Sequence, residues 1–282
     1  MQTVTIAGSE VPAIGLGTWN MGDEPSLQTQ EINAIHAGLA AGAKVIDTAE
    51  MYGSGRAETL VGKAIKDVPR DQLYLISKVL PTNASKNRME RSLDASLKRL
   101  GVDEVDLYLY HWRGQIPLSE TVAELQRLTT IGKTKAWGIS NFDVTDLEEL
   151  WQLPDGPKAA ANEDLFNLGS RGVEYSLLGW QADHHLPFIA YSPVGAPGQL
   201  DTHLGSDPDV LKVAKRHQAT AYQILLAWVV SHQQVLAIPQ SSNPDLAKEN
   251  VLAGDIQLTA DDRRVLDKAY PAPTEKLPLD VL

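Results

Sequence analysis

The sequence predicts a (β/α)8 TIM barrel with an N-terminal hairpin and extra helices, and three observations carry that expectation. Eight short β-rich runs alternate with amphipathic stretches. No linker, low-complexity tract or long charge run interrupts them, so residues 1–282 read as a single domain. Several of the runs end in a polar, reactive residue, as in a barrel whose catalytic groups gather at the C-terminal mouth. Strands joined by helical crossovers run parallel. Eight such units close more naturally into a barrel than into an open doubly wound sheet. A chain of 282 residues is ordinary for one barrel domain.

Val4-Thr5-Ile6, the segment Ala7-Gly8-Ser9-Glu10 and then Val11 read as a short hairpin. The strand candidates are residues 14–18, 44–47, 73–77, 105–110, 136–139, 159–162, 188–191 and 235–238. Between them, Glu31, Ile35, Gly38, Leu39 and Gly42 keep helical spacing, as do Leu93, Ser96, Leu97 and Leu100. Two helical segments, 209–217 and 221–232, separate the last two strands, so one is extra to the repeat. Residues 258–270 read as a closing helix with Thr259 as N-cap and Asp261-Asp262 in its first turn.

The formal net charge of -11 argues against nucleic acid and anionic membrane as partners, because both reward clustered Lys and Arg. No cysteine is present, which excludes thiolate catalysis and suits a reducing compartment. The start shows no secretory signal, and the longest apolar stretch, near Ile224 to Val230, is too short to span a bilayer. The His, Asp and Glu spacings do not resemble a zinc set, and no metal is expected.

The second strand ends at Asp47, the third at Lys78 and the fourth at His111, and Tyr52 follows the second in its loop. Singly, each has a bland reading as a cap, a surface charge, a half-buried histidine or a rim aromatic. Jointly they converge on one barrel mouth, and the set makes chemical sense. Hydride addition to a carbonyl leaves an alkoxide that needs a proton. A tyrosine can give it, with an ordinary pKa of about 10. Lys78 is expected to lower that value, Asp47 to hold the lysine charged, and His111 to hydrogen-bond the carbonyl oxygen. Trp19 and Trp112, also at strand ends, are expected to line an apolar substrate cleft with Tyr52 and His111.

At these residues the chain resembles the aldo-keto reductase superfamily over nearly its whole length, and among members the compact bacterial methylglyoxal and diketogluconate reductases. The resemblance rests on Asp47-Thr48-Ala49-Glu50-Met51-Tyr52-Gly53, Ile76-Ser77-Lys78 and Tyr108-Leu109-Tyr110-His111-Trp112. It implies a catalytic tetrad of Asp47, Tyr52, Lys78 and His111, with Tyr52 as acid. It implies that Ser140 and Asn141, in Gly138-Ile139-Ser140-Asn141-Phe142, hold the nicotinamide carboxamide. Tyr191 then stacks on the nicotinamide, and Ser192 starts a pyrophosphate loop through Pro193, Val194 and Gly195. Glu249-Asn250 resembles the pair that contacts adenine. Gly17, Thr18 and Trp19 would lie beside the cofactor, the Gly15-Leu16-Gly17 strand allowing close backbone approach.

Three positions depart from the family pattern. Glu163 stands where relatives have the glutamine that touches nicotinamide. In Ile238-Pro239-Gln240-Ser241, Gln240 replaces a lysine, and Leu246 replaces an arginine five residues after the serine. Those two cations grip the NADP 2′-phosphate in relatives; here Ser241, Ser242 and Asn243 remain as neutral donors. The expected cofactor is NADPH, with NADH also usable. The expected substrate is a small carbonyl compound, in an open cleft with short loops and a short tail, and Arg113 reads as a solvated rim charge. The chain is expected to be a cytoplasmic monomer. A second reading is a nucleotide-binding regulatory module like the channel β-subunits of this fold. A third, a hydrolase pairing Glu163 with Asp47, leaves Lys78 and Tyr52 unexplained.

Overall fold

The computed structural model describes residues 1–195 and 203–282. The chain opens with β1 (Thr3–Ile6) and β2 (Ser9–Pro12), an antiparallel hairpin. Its two turn residues, Ala7 and Gly8, have φ of 49° and 78°, the left-handed pair that a two-residue hairpin turn needs. Then follow β3 (Leu16–Gly17), α1 (Gln28–Ala40), β4 (Val45–Asp47), α2 (Arg56–Ile65), β5 (Tyr74–Val79), α3 (Met89–Leu100), β6 (Val105–Tyr110) and α4 (Leu118–Thr130). The second half contains β7 (Thr134–Ser140), α5 (Val144–Trp151), β8 (Asn162–Leu165), α6 (Leu177–Asp183), β9 (Phe188–Tyr191), α7 (Pro208–His217), α8 (Ala221–Val230), β10 (Val235–Ala237), α9 (Pro244–Leu252) and α10 (Ala260–Ala269).

Strands β3 to β10 form one eight-stranded parallel sheet in sequential order. The sheet closes on itself. Gly15 N donates to Ala237 O at 2.8 Å and Gly17 N to Pro239 O at 3.0 Å, with parallel bridges Ile14–Ala237 and Gly17–Gln240. A Cβ on Gly17 would stand 2.6 Å from Ile238 O, so glycine is required for this closure. Strands β5 and β6 are buried at every position, as a parallel sheet covered on both faces demands.

The expected extra helices are α7 and α10. They are joined where His217 Nε2 and Arg216 reach Asp262 at 2.9 Å each. Thr259 caps α10 as expected, in a reciprocal capping box with Asp262. One strand is displaced from its expected place. The sixth was expected at 159–162 and is centred instead on Asn162–Leu165. A short helical turn at Gly156–Lys158 delivers the chain later, and the strand buries two carboxyls, Glu163 and Asp164, in a run that reads as polar. The tail after α10 is tied down by Lys276, whose Nζ lies 2.5 Å from Asp143 Oδ1, and by a hydrogen bond from Ser170 to Asp280. Among the described residues no helix is long and apolar enough to cross a membrane.

Candidate active site

The C-terminal ends of β4, β5 and β6, with the loop after β4, bring Asp47, Tyr52, Lys78 and His111 together. Lys78 Nζ donates to both oxygens of Asp47, at 2.5 and 2.6 Å. It also reaches Tyr52 OH at 3.2 Å and Thr48 O at 3.3 Å. Lys78 is fully buried, so this ammonium has no solvent to turn to. The His111 ring meets the Tyr52 ring edge-on, 5.8 Å between centroids. Ser54, just past Tyr52, has φ of 55° between Gly53 and Gly55, both also left-handed, a tight turn that sets Tyr52 beside the strand ends.

The electrostatics follow from burial. Burial opposes the charge of Lys78, but Asp47, Glu163 and Tyr52 outweigh it and hold the lysine above its ordinary value. His111 is pushed down to about 3, by burial and then by Lys78, so its imidazole is neutral. For Tyr52 the expected net lowering is reversed. Burial is the largest influence and pushes the phenol above its ordinary value; Lys78 pulls it back only in part, and Asp47 and Glu163 push the same way as burial. Tyr52 is therefore protonated at neutral pH, the form a proton donor needs.

These groups open onto a cavity of about 820 Å³. At one end Trp19, Tyr52, His111 and Trp112 line it. Trp19 and Trp112 are 43% and 36% exposed, which rules out core packing for either ring. Gly17, Thr18, Asp47, Asn141 and Glu163 contribute to its wall, followed by Tyr191, Ser192, Pro193, Val194 and Gly195 from the end of β9. Ile238, Pro239 and Gln240 line it after β10. Thr18 Oγ1 donates to Asp47 O at 2.8 Å and so ties β3 to β4 beneath the site.

Ser140 is buried behind the wall, donating to Glu163 O at 2.7 Å. Asn141 has a left-handed φ of 59° and spans the mouth. Its Nδ2 donates to His111 O at 3.0 Å, and its Oδ1 accepts from Tyr191 OH at 2.9 Å. Asn243 caps α9, accepting from the amides of Asp245 and Leu246. Gln240 Nε2 donates to Ser242 Oγ at 3.1 Å, and Ser242 Oγ to the buried Glu31 at 3.3 Å. Ser241 Oγ turns back to Asn243 O at 3.3 Å. Leu246 is 48% exposed. Glu249 and Asn250 lie further along α9, half-buried, with Glu249 O accepting from Gln223 of α8 at 3.0 Å. Arg113 is held by Glu149, at 2.9 and 3.1 Å, and does not line the cavity.

A family model described as the aldo/keto reductase family matches residues 13–271. The chain belongs to the aldo/keto reductase family. Methylglyoxal reductase YeaE of Escherichia coli (strain K12) is 44% identical over 272 residues, 96% of this chain and 95% of that protein. Methylglyoxal reductase DkgB of Escherichia coli O157:H7 is 30% identical over 268 residues, 91% and 92% of the two chains. A crystal structure of an aldo/keto reductase from Klebsiella pneumoniae, in complex with NADP and acetate, matches with a TM-score of 0.97 at 44% identity, covering 99% of each chain.

In this aldo/keto reductase the cavity has further lining that sequence reasoning missed. Asn20 and Met51 stand at the tryptophan end, while His203, Leu204, Gly205 and Ser206, with Tyr222 of α8, form a wall beyond Gly195. The last contact is close: a Cβ on Gly205 would stand 3.0 Å from the Tyr222 ring. Leu282 also lines the cavity. The tail, although short, therefore reaches the cleft that was expected to be open.

Proposed function

We propose that this aldo/keto reductase reduces the carbonyl of small aldehydes, ketones and α-dicarbonyls to an alcohol, with NADPH as hydride source and Tyr52 as proton donor. The observation that carries this reading is the single buried ammonium of Lys78, clamped by Asp47 and touching the hydroxyl of Tyr52. A dinucleotide fits the residues present. The cavity is long enough to run from His111 to Gln240, Tyr191 offers an aromatic platform, and Glu163 Oε2 is a buried polar atom with no partner among the described residues. Tyr191, Ser192 to Gly195 and the first turn of α9 would hold it, together with Asn141. When bound, NADPH supplies the hydride.

The chain's own residues do the rest. The substrate oxygen sits between Tyr52 OH and the neutral His111 ring, which donates a hydrogen bond without competing as an acid. As negative charge develops on that oxygen, Tyr52 passes its proton across, and Lys78 stabilises the phenolate left behind. Asp47 keeps Lys78 in place. The tryptophans at the rim supply apolar surface for a small organic body. We further propose that the protein is a cytoplasmic monomer; a chain without cysteine suits a reducing compartment.

The name of the relative at 44% identity supports α-dicarbonyls as a substrate class. With NADPH, a panel of α-dicarbonyls, aromatic aldehydes, sugars and bulky ketones is expected to give the highest kcat/KM for the small, reactive carbonyls. Arg113, already paired, is not expected to favour anionic compounds. A profile peaking sharply at one bulky steroid ketone would contradict this substrate class.

A further inference from the structure

Two carboxyls and one ammonium share a closed space behind Tyr52. Lys78 Nζ lies 2.5 Å from Asp47 Oδ1 and 3.3 Å from Glu163 Oε1, and none of the three side chains is more than 2% exposed. With both acids ionised, the cluster would hold a net negative charge out of water, at a heavy desolvation cost. One added proton removes it.

The geometry says where that proton sits. Asp47 engages Lys78 through both oxygens, as a carboxylate does. Glu163 makes one longer contact, and its Oε2 is buried with no donor among the described residues. A carboxylate oxygen in that position lacks a partner, whereas a hydroxyl needs only an acceptor. Asp47, held on the same Lys78 Nζ, is the neighbouring acceptor. Burial and the charge of Asp47 hold Glu163 well above the usual carboxylate range, with Lys78 opposing. The other titratable groups facing the cluster do not change charge near neutrality. Tyr52 and Tyr191 are pushed up by burial, and His111 is already neutral. Asp164, the next residue of β8, is likewise held up by burial.

We propose that Glu163 is the proton reserve of this site, protonated beside the reduced nucleotide and giving up its proton when the nicotinamide becomes cationic. This rests on the functional reading above. Hydride and proton must reach the same carbonyl, so the ring belongs at the Tyr52 end of the cavity, where Glu163 lines the wall. The step balances. The carbonyl carbon gains hydride and is reduced; the nicotinamide loses it and is oxidised. The alkoxide takes the Tyr52 proton. Lys78 returns a proton to the phenolate, across 3.2 Å, and is recharged from the Asp47–Glu163 pair. The Glu163 carboxylate then faces a cationic ring, which offsets its charge. When oxidised nucleotide leaves, a solvent proton refills Glu163. A glutamine at this position could hydrogen-bond but could not store the proton.

The test is calorimetric titration of NADP+ and NADPH into the wild-type protein and Glu163→Gln, near neutral pH, in buffers of different ionisation enthalpy. NADP+ binding to the wild type is expected to release about one proton, and NADPH binding none. Glu163→Gln should release none with either nucleotide, while its saturable NADPH binding shows that it is folded. In the wild type, the ratio of the NADP+ to the NADPH dissociation constant should fall about tenfold per pH unit above neutrality, and in the variant it should stay flat. The ratio cancels ionisation of the 2′-phosphate. Binding of NADP+ to the wild type without proton release, or equal release in both proteins, overturns the inference and leaves the functional reading standing. If neither nucleotide binds the wild type saturably, both fall. Should the variant not fold, the wild-type proton count and pH slope decide the matter.

Discussion

Tyr52→Phe is expected to lower kcat by about two orders of magnitude or more, with the affinity for NADPH nearly unchanged. The substitution keeps the ring that meets His111 edge-on and removes only the hydroxyl 3.2 Å from Lys78 Nζ. None of the site's other proton holders can replace it: the proton of Glu163 belongs to the closed cluster with Asp47 and Lys78, behind Tyr52. His111 is neutral, its value pushed down to about 3, so it holds no surplus proton near neutrality. Lys78 carries protons but is clamped by Asp47 and fully buried, away from the cavity lining. Unchanged nucleotide affinity separates loss of the proton donor from damage to the cofactor site. Comparable turnover by the variant would remove Tyr52 from the mechanism.

The second large effect concerns the nucleotide. NADPH is the cofactor bound in a Klebsiella pneumoniae relative 44% identical to this chain. We propose that NADH also serves, with a discrimination ratio far below that of relatives carrying both cations. The two departing side chains have the properties this requires. Leu246 is exposed and can donate no hydrogen bond, and Gln240 spends its amide on Ser242. Asn243 is occupied in capping α9. The nearest charges along this segment are unfavourable: Glu31 behind Ser242 and Asp245 in the first turn of α9. Lys248 is exposed but sits two residues past Leu246, on a different helix face. A hydrogen bond to a charged group is worth roughly 1.5–3 kcal/mol, so losing two erodes the NADPH advantage by several kcal/mol, a factor of hundreds or more. Gln240→Lys with Leu246→Arg is expected to tighten NADPH selectively and leave NADH as it was. Strict NADPH dependence in the wild type, with NADH inert at roughly millimolar concentration, would contradict this; it would mean that another cation, such as Lys248, reaches the phosphate.

Much of the barrel was legible because its strands are apolar and its helices amphipathic. The run 105–110 was placed with its bounds intact, as was 188–191. The sixth strand slipped because Glu163 and Asp164 look like loop residues. Glu163 is buried beside Lys78 and Asp164 beside the segment after β7, neighbours distant in sequence that pattern reading along one strand does not see. The convergence of Asp47, Tyr52, Lys78 and His111 was legible because each sits at a strand end or in the loop beyond it, and parallel strands bring those ends together. The sign of the Tyr52 shift was not, since it depends on how deeply the cluster is buried and on a second acid beside the first. The wall made by residues 203–206 and Tyr222 is likewise a product of folding. An aromatic at the start of an apolar helix gives no sign that it faces a cavity. Arg113 was read as a solvated rim charge, and what the sequence did not show is its partner, Glu149 of α5.

In the proposed reaction this site moves hydride from a nicotinamide to a carbonyl carbon while Tyr52 protonates the oxygen. The most direct measurement follows deuterium. With NADPH deuterated at the transferring position of the ring and a small α-dicarbonyl or aromatic aldehyde, the product alcohol is expected to carry one deuterium on the carbinol carbon, while its hydroxyl proton comes from the protein and solvent. Saturable binding of NADPH with no labelled alcohol from any small aldehyde or α-dicarbonyl would contradict the account, and would be the behaviour of a nucleotide-binding regulatory module on the same fold.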